Sequence, residues 1–349
     1  MFNITKSSAF GREMTIITAE NAGVAPMYFT AQSFLSDNRR MVVGLFKNYE
    51  EEPLACSYHC LDTETGESFP LTGEMRWETG NVSEDDKFYY TDKTKLQVFD
   101  LISGKNEELY TLEEGQDFSG SVTITNDCKY LGAYWADTDG ITVLGVFDIQ
   151  NKIMLKTERV PFMGPYSIAS HGMLCPVNKD LMFFCHEGRT EYITNRLWLT
   201  DFNSKWNLFK QKMDENNNNG ECVGHEAWAY DGSGLFFVKY DIPGTLKPNG
   251  IYFVDLKGNA KCINSETNHW HVCANRALTH TASDTGSAGT VSKVLLTEIK
   301  TGKMQVLNEI TRFQNHPGHP HPSFSPDGKK VVYTFEVSPK VTAIGIITI

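Results

Sequence analysis

One short signal returns along the whole chain: a tight polar turn followed by an apolar, β-rich stretch. Ser325-Pro326-Asp327-Gly328 leads into KKVVYTFEV, and Ser36-Asp37-Asn38 into RRMVVGLF. Ser83-Glu84-Asp85 leads into DKFYYTD, Asn126-Asp127 into CKYLGAYWAD, Asn178-Lys179-Asp180 into LMFFCHEG and Asp231-Gly232 into SGLFFVKYD. A degenerate seventh copy, Ala274-Asn275-Arg276, leads into ALTHTASD. The copies recur roughly every 40 to 50 residues, the period of a four-stranded propeller blade. A second signal interleaves with the first, an apolar strand ending in Asp or Glu and a turn: LDTETG, FDLISG, FDIQNK, TDFNSK, VDLKG and TEIKTG. These read as hairpins joining the third and fourth strands of a blade.

The seventh hairpin is missing, because the sequence ends at TAIGIITI after a third strand. The early stretch MTIITAE at 14–20 predicts the absent fourth strand, paired into the sheet of 329–349, so that the ring closes without open edges. The expectation is an all-β, seven-bladed β-propeller forming one domain over 1–349. A plain β-sandwich array does not account for seven phased turns. The Asn-rich stretch KQKMDENNNNGE at 210–221 reads as a solvated crossover.

A formal net charge of −11 argues against nucleic acid or an anionic membrane as a partner, since either needs a basic face. A small anionic ligand stays possible where a site supplies its own positive charge. No apolar run is long enough for a signal peptide or a bilayer span, and the eight cysteines are scattered without a C-x-x-C pair. They read as free thiols in a reducing cytoplasm.

Ten histidines are available, and three of them fall in NHPGHPHPSF at 315–324. His319-Pro320-His321 projects both rings to one side of an extended backbone, and imidazole suits Mn, Fe, Ni, Cu or Zn. His316 lies one Pro-Gly turn earlier, and His271 would come from the neighbouring blade. A plain Pro-rich surface loop is the competing reading of the same run. His186, Arg196 and His225 also stand next to repeat turns, where loops of a propeller mouth should lie. His269 and His280 read as structural, and His59 and His171 carry no signal beyond composition.

FCHEG at 184–188 with Arg196 and LWL after it, GECVGHEAW around His225, and the closing HPHPSFSPD resemble the oligogalacturonate lyase family. The resemblance covers 160–349, and the first half by repeat pattern. It implies a cytoplasmic seven-bladed propeller that cleaves short pectic oligosaccharides by β-elimination with a divalent metal, manganese above all, Fe, Ni or Zn being the alternatives. By position, it makes His225 the catalytic base, Arg196 a substrate-contacting arginine, His186 a cleft-lining residue, and His271, His319 and His321 metal ligands. His316 stands where the family has Gln, which would make the ligand set four imidazoles. VAPMYFTAQSF at 24–34 lacks two basic residues of the family's first blade, which bears on which uronate is bound. A lyase of another uronate glycan and a non-catalytic interaction propeller are the competing functions.

Overall fold

The computed structural model describes residues 2–49, 54–189, 192–216, 219–286, 290–313 and 315–349. Among them there is no helix, and 29 strands form seven sheets. Six sheets hold four antiparallel strands each, with neighbours in the sheet also neighbours in sequence. This is a seven-bladed β-propeller. The first strands of the blades are Gly23–Pro26, Gly80–Val82, Asp117–Ile124, Ala169–Cys175, Val223–Trp228, His269–Ala274 and Ser323–Phe324.

Both sequence signals have a local cause. In the repeat turn a hydroxyl and a carboxylate tie the corner: Ser325 Oγ donates to Asp327 Oδ1 (2.6 Å) and accepts from the Lys330 N–H (3.0 Å). Ser83 with Asp85 and Thr125 with Asp127 repeat the first contact at 2.6 and 2.7 Å. In the hairpins the strand-ending Asp accepts main-chain N–H groups of the turn. Asp62 takes those of Glu64 and Thr65, and Asp100 those of Ile102 and Ser103. Such side-chain turns fix where each strand ends before any packing is made.

The last blade is closed as the sequence predicts, with one addition. Strand Arg12–Ala19 pairs antiparallel with Val341–Thr348, Met14 opposite Ile347 and Ile17 opposite Ile344. Phe2–Ala9 then pairs with Arg12–Ala19 and makes this sheet five-stranded, which the sequence reading did not foresee. Its residues alternate weakly and most are exposed, so it carries no apolar stripe of the kind that marks a core strand. Closure is held by burial: Ile17, Val332 and Ile344 pack with Val24, Met41 and Val43 of the first blade, all six fully buried. The Asn-rich crossover is not wholly solvated. Gln211 is buried and bonds the Ile193 carbonyl (3.0 Å), and buried Glu221 pairs with Lys239 (2.7 Å).

Candidate functional site

A backbone device repeated in the innermost strands builds the site. In four successive blades the pairing of the first strand shifts register, between Ser119 and Thr123, Ser170 and Met173, Gly224 and Ala227, and His269 and Val272. A bulge there re-aims one side chain. His171 and His225 both sit in such shifts at φ 52°, and His321, just before the last blade's first strand, has φ 45°. Positive φ is uncommon for a residue other than Gly, and each case costs about 1–3 kcal/mol. In blade three the same place is held by Gly120, where a Cβ would come 2.2 Å from the Tyr134 hydroxyl.

His271, His319 and His321 bring three ring nitrogens within 4.8 Å of one another. Their ring centroids lie 4.3 Å (271 to 321), 5.5 Å (319 to 321) and 5.7 Å (271 to 319) apart. His271 and His321 are each 1% exposed, and the Nε2 atom of each is buried without a hydrogen-bond partner. A buried nitrogen in that state forfeits on the order of 1–3 kcal/mol, which a metal ion would restore. His271 is also oriented from behind. Its backbone N–H donates to Asp284 Oδ1 (2.7 Å) and its Nδ1–H to Asp284 Oδ2 (2.9 Å), leaving Nε2 as the lone-pair nitrogen. Burial, with the neighbouring imidazoles adding to it, holds His271 and His321 well below the ordinary histidine value, in the neutral form a metal requires. The residues present fit a divalent transition metal.

His316 stands outside that triplet. Its ring lies 4.6 Å from His319 and 4.9 Å from His321, its side chain is 42% exposed, and its Nδ1 is 3.6 Å from Glu78 Oε1. Of the expected four imidazoles, three thus converge by their nitrogens, and His316 stands beside them at the rim, its ring as near to His319 and His321 as those are to each other.

His225 abuts the triplet, its ring 4.0 Å from that of His271. The Nδ1–H donates to the Trp270 carbonyl, and the Tyr240 hydroxyl lies 2.8 Å from the same nitrogen. Nε2 is therefore the nitrogen carrying the lone pair. Burial brings this imidazole down to about 3, with the Arg196 and His171 charges acting in the same direction and Glu226 against it. A neutral imidazole with a fixed tautomer and a free lone pair can accept a proton.

Arg196 is 5% exposed and lies between two carboxylates. Its Nε donates to Glu226 Oε1 (2.7 Å), and Nη1 and Nη2 donate to Glu187 (3.1 and 3.4 Å). Glu226 is fully buried, and its Oε2 faces His171 Nδ1 at 3.3 Å. Desolvation would raise both carboxyls, but the Arg196 charge outweighs it with His171 adding. Glu187 is brought down to about 2, and Glu226 lies well below the ordinary carboxylate range. His171, Cys185 and Glu226 form a second group close enough to share a metal. Charge decides against it: both oxygens of Glu226 are already engaged, one by a guanidinium. The second group is a closed ion-pair network, whereas in the first the Nε2 atoms of His271 and His321 are left without a partner.

Between these two groups a cavity of about 360 Å³ opens, lined by Tyr28, Phe29, Glu78, Tyr134, His171 and Glu226 among others. Tyr28 packs 4.7 Å from His321, and Phe29 5.3 Å from His271, so these two rings form the wall between the cavity and the histidine triplet. His186 does not line it. That ring stacks on Phe162 (centroids 3.8 Å apart) and meets the Tyr166 carbonyl at 2.6 Å, in a separate outer pocket with Met163 and Tyr192. His269 is structural as expected, buried between Ser283 and Asn264 at 2.9 Å each. The sequence reading missed His171, Glu226 as partner of Arg196, and Asp284. His171 had a usable signal, its place just ahead of the repeat turn, matching His225 and His321.

The sequence profile of a family described as oligogalacturonate lyase matches residues 152–349. The oligogalacturonate lyase of Dickeya dadantii is 24% identical, over 97% of this chain and 94% of that protein. The oligogalacturonide lyase of Pectobacterium atrosepticum is 23% identical over the same shares. Among solved structures, an oligogalacturonate lyase in complex with manganese superposes with a TM-score of 0.82 at 20% identity, covering 100% of this chain and 96% of that one. An oligogalacturonate lyase from Vibrio parahaemolyticus gives the same TM-score and identity over 100% and 97%.

Proposed function

The chain belongs to the oligogalacturonate lyase family, carbon–oxygen lyases acting on oligosaccharides, and from that premise we propose a metal-dependent β-elimination on short uronate oligosaccharides such as digalacturonate. The observation that carries this reading is the pair of orphaned, buried Nε2 atoms of His271 and His321 beside the lone pair of His225. His271, His319 and His321 would hold the ion, and the manganese in a solved protein of the same fold supports that metal. When bound, a divalent ion supplies Lewis acidity to the uronate carboxylate and so makes the adjacent C5 proton removable.

His225 Nε2 takes that C5 proton. The Trp270 carbonyl fixes its tautomer, and burial keeps it neutral through the physiological range. Arg196 adds positive charge near the developing anion, held in place by Glu226 and Glu187. The electron pair of the C–H bond becomes the C4–C5 double bond, and the glycosidic oxygen leaves with its sugar into the adjoining cavity. The product carries an unsaturated uronate. Eight free cysteines support a reducing, cytoplasmic setting for this reaction.

A second substrate reading has an observation of its own. Glu78 and Glu226 both line the cavity that would take the leaving sugar. Arg76 and a charged His171 line the same cavity, so its charges balance and a neutral sugar on the leaving side fits there as well as a second uronate. The test loads the protein with manganese and follows the absorbance of unsaturated uronate, offering digalacturonate and a uronate linked to a neutral sugar in parallel. Product from either is expected, with His225→Ala slower by ~100- to 10,000-fold at unchanged metal content. No product from any uronate disaccharide overturns the lyase reading.

A further inference from the structure

Elimination needs two proton transfers, and the residues named so far perform one. His225 removes the C5 proton, but the sugar oxygen on C4 must leave as an alkoxide unless something protonates it. A sugar alkoxide is a poor leaving group near neutral pH, so a general acid at this oxygen is worth ~100- to 10,000-fold. We propose that His171 is that acid: its Nε2–H protonates the glycosidic oxygen as the C4–O bond breaks. The inference rests on the lyase reading above.

Placement comes first. His171 lies in the bulge of blade four, as His225 lies in the bulge of blade five, both at φ 52°. The shift turns His171 into the cavity and His225 against His271. His171 lines the cavity beside the metal triplet, where the leaving sugar would sit, and its side chain is 34% exposed there. His225 does not line this cavity, so the two imidazoles flank different parts of the substrate. In a galacturonide the C5 hydrogen and the C4 oxygen are trans, so base and acid act from opposite faces.

Next comes the proton. His171 Nδ1 is committed to Glu226 Oε2 at 3.3 Å, whereas Nε2 is 3.8 Å from Glu187 Oε2, too far for a short bond. The ring also meets the Cys185 thiol, a weak partner, so Nε2–H, which no carboxylate engages closely, is the transferable hydrogen. The groups around the ring are Cys185, Glu187 and Arg196 of its own blade, Glu226 and His225 of blade five, Tyr134 of blade three, and Arg76 and Glu78 from the end of blade one and the link to blade two. Desolvation alone would lower this imidazole. The Cys185 and Glu226 side chains outweigh it and hold His171 well above the ordinary histidine value, so it is charged at neutral pH. His171 is thus set by its surroundings as a proton donor.

The step balances. The C5 proton goes to His225, the C–H pair forms the double bond, the C4–O pair leaves on oxygen, and the His171 proton quenches it. Solvent then returns one proton to His171 and takes one from His225.

The experiment varies the leaving group. Manganese-loaded wild type and His171→Gln are compared on digalacturonate and on a uronide carrying fluoride at C4, which departs without protonation. The variant is expected to lose ~100-fold or more on the sugar leaving group and less than ~10-fold on fluoride. Equal losses on both, no loss on either, or a leaving-group dependence that appears instead in Glu78→Gln overturns the proposal. Should His171→Gln fail to fold, wild-type pH profiles decide. The sugar substrate should show an alkaline fall, as His171 loses its proton, that fluoride lacks, and superimposable profiles refute it. Wild type inactive on both substrates would instead remove the lyase reading beneath it.

Discussion

Asp284 is the residue on which the metal triplet should depend without Asp284 itself binding metal. It is 1% exposed and accepts two hydrogen bonds from His271, the backbone N–H at 2.7 Å and Nδ1–H at 2.9 Å. Asp284→Ala orphans both buried donors, at about 1–3 kcal/mol each. Part of that is offset, because burial pushes the Asp284 carboxyl up to about 7, and deleting it relieves a costly desolvation. The net expectation is a loss of about 2–3 kcal/mol in the metal-free protein. Asp284→Asn changes the tautomer more than the packing. Its amide oxygen keeps the backbone N–H bond at the Oδ1 position, but its NH2 takes the Oδ2 position 2.9 Å from Nδ1, where it opposes Nδ1–H and favours the tautomer with the proton on Nε2. That variant should fold normally and bind manganese ~10- to 100-fold more weakly, the usual scale for a partner behind a ligand. Thermal unfolding in chelator reads the first quantity, and titration against a competing chelator the second. An alanine variant that melts with wild type, together with wild-type metal affinity in both variants, would refute the argument that Asp284 aims His271.

The ligand set makes a graded prediction: His319→Ala or His321→Ala should abolish stoichiometric metal, whereas His316→Gln, at the rim, should keep metal and most activity. Metal content of the three purified variants checks it. Acid stability should follow the Arg196 network. Glu187 and Glu226 have folded values below their unfolded ones, so the stability they add is present above the ordinary carboxylate range and disappears as pH falls through the depressed values. Glu226→Gln should therefore flatten the acid side of a pH–melting curve, and an unaltered slope there counts against the network. Closure is tested by Ile17→Ala, a fully buried side chain in the strand that completes the last blade. The expected cost is about 2–5 kcal/mol in denaturant unfolding, and a change near zero would mean the ring holds without that strand.

The fold was legible because its determinants are local and repeated. A Ser or Thr with an Asp two residues on makes the same corner wherever it occurs, and seven phased corners leave little freedom for what lies between them. The closing strand was legible for another reason, since a missing fourth partner for 341–348 left an edge that MTIITAE could cover. Strand Phe2–Ala9 was not, because an exposed outer strand needs no apolar pattern. The site divides along the same line. His319 and His321 announce themselves by spacing, but His171 meets Glu226 across 55 residues and His271 meets Asp284 across 13, and neither separation carries a motif. His186 shows the converse: it sits inside a recognisable motif, yet its ring turns to Phe162 and the Tyr166 carbonyl.

Two groups of similar donors, a few side chains apart, take opposite fates, and the reason is where their counter-charges lie. Around His171 the carboxylates outnumber no cation: Glu187 and Glu226 face Arg196 and a protonated imidazole, so the group is electrically closed and holds its protons. Around His271 the buried carboxylate of Asp284 sits behind the ring on Nδ1, and the Nε2 atoms of His271 and His321 have no hydrogen-bond partner, which suits the group to a metal ion. In the proposed mechanism the same bulged backbone presents a histidine as an acid in one blade, a base in the next and a ligand in the one after. What distinguishes them is the residue one layer further out: Glu226 for His171, the Trp270 carbonyl for His225, and Asp284 for His271. It follows that transplanting an outer partner, not the histidine, should convert one role toward another. The place to look for divergence of chemistry on this scaffold is behind the ring of histidines.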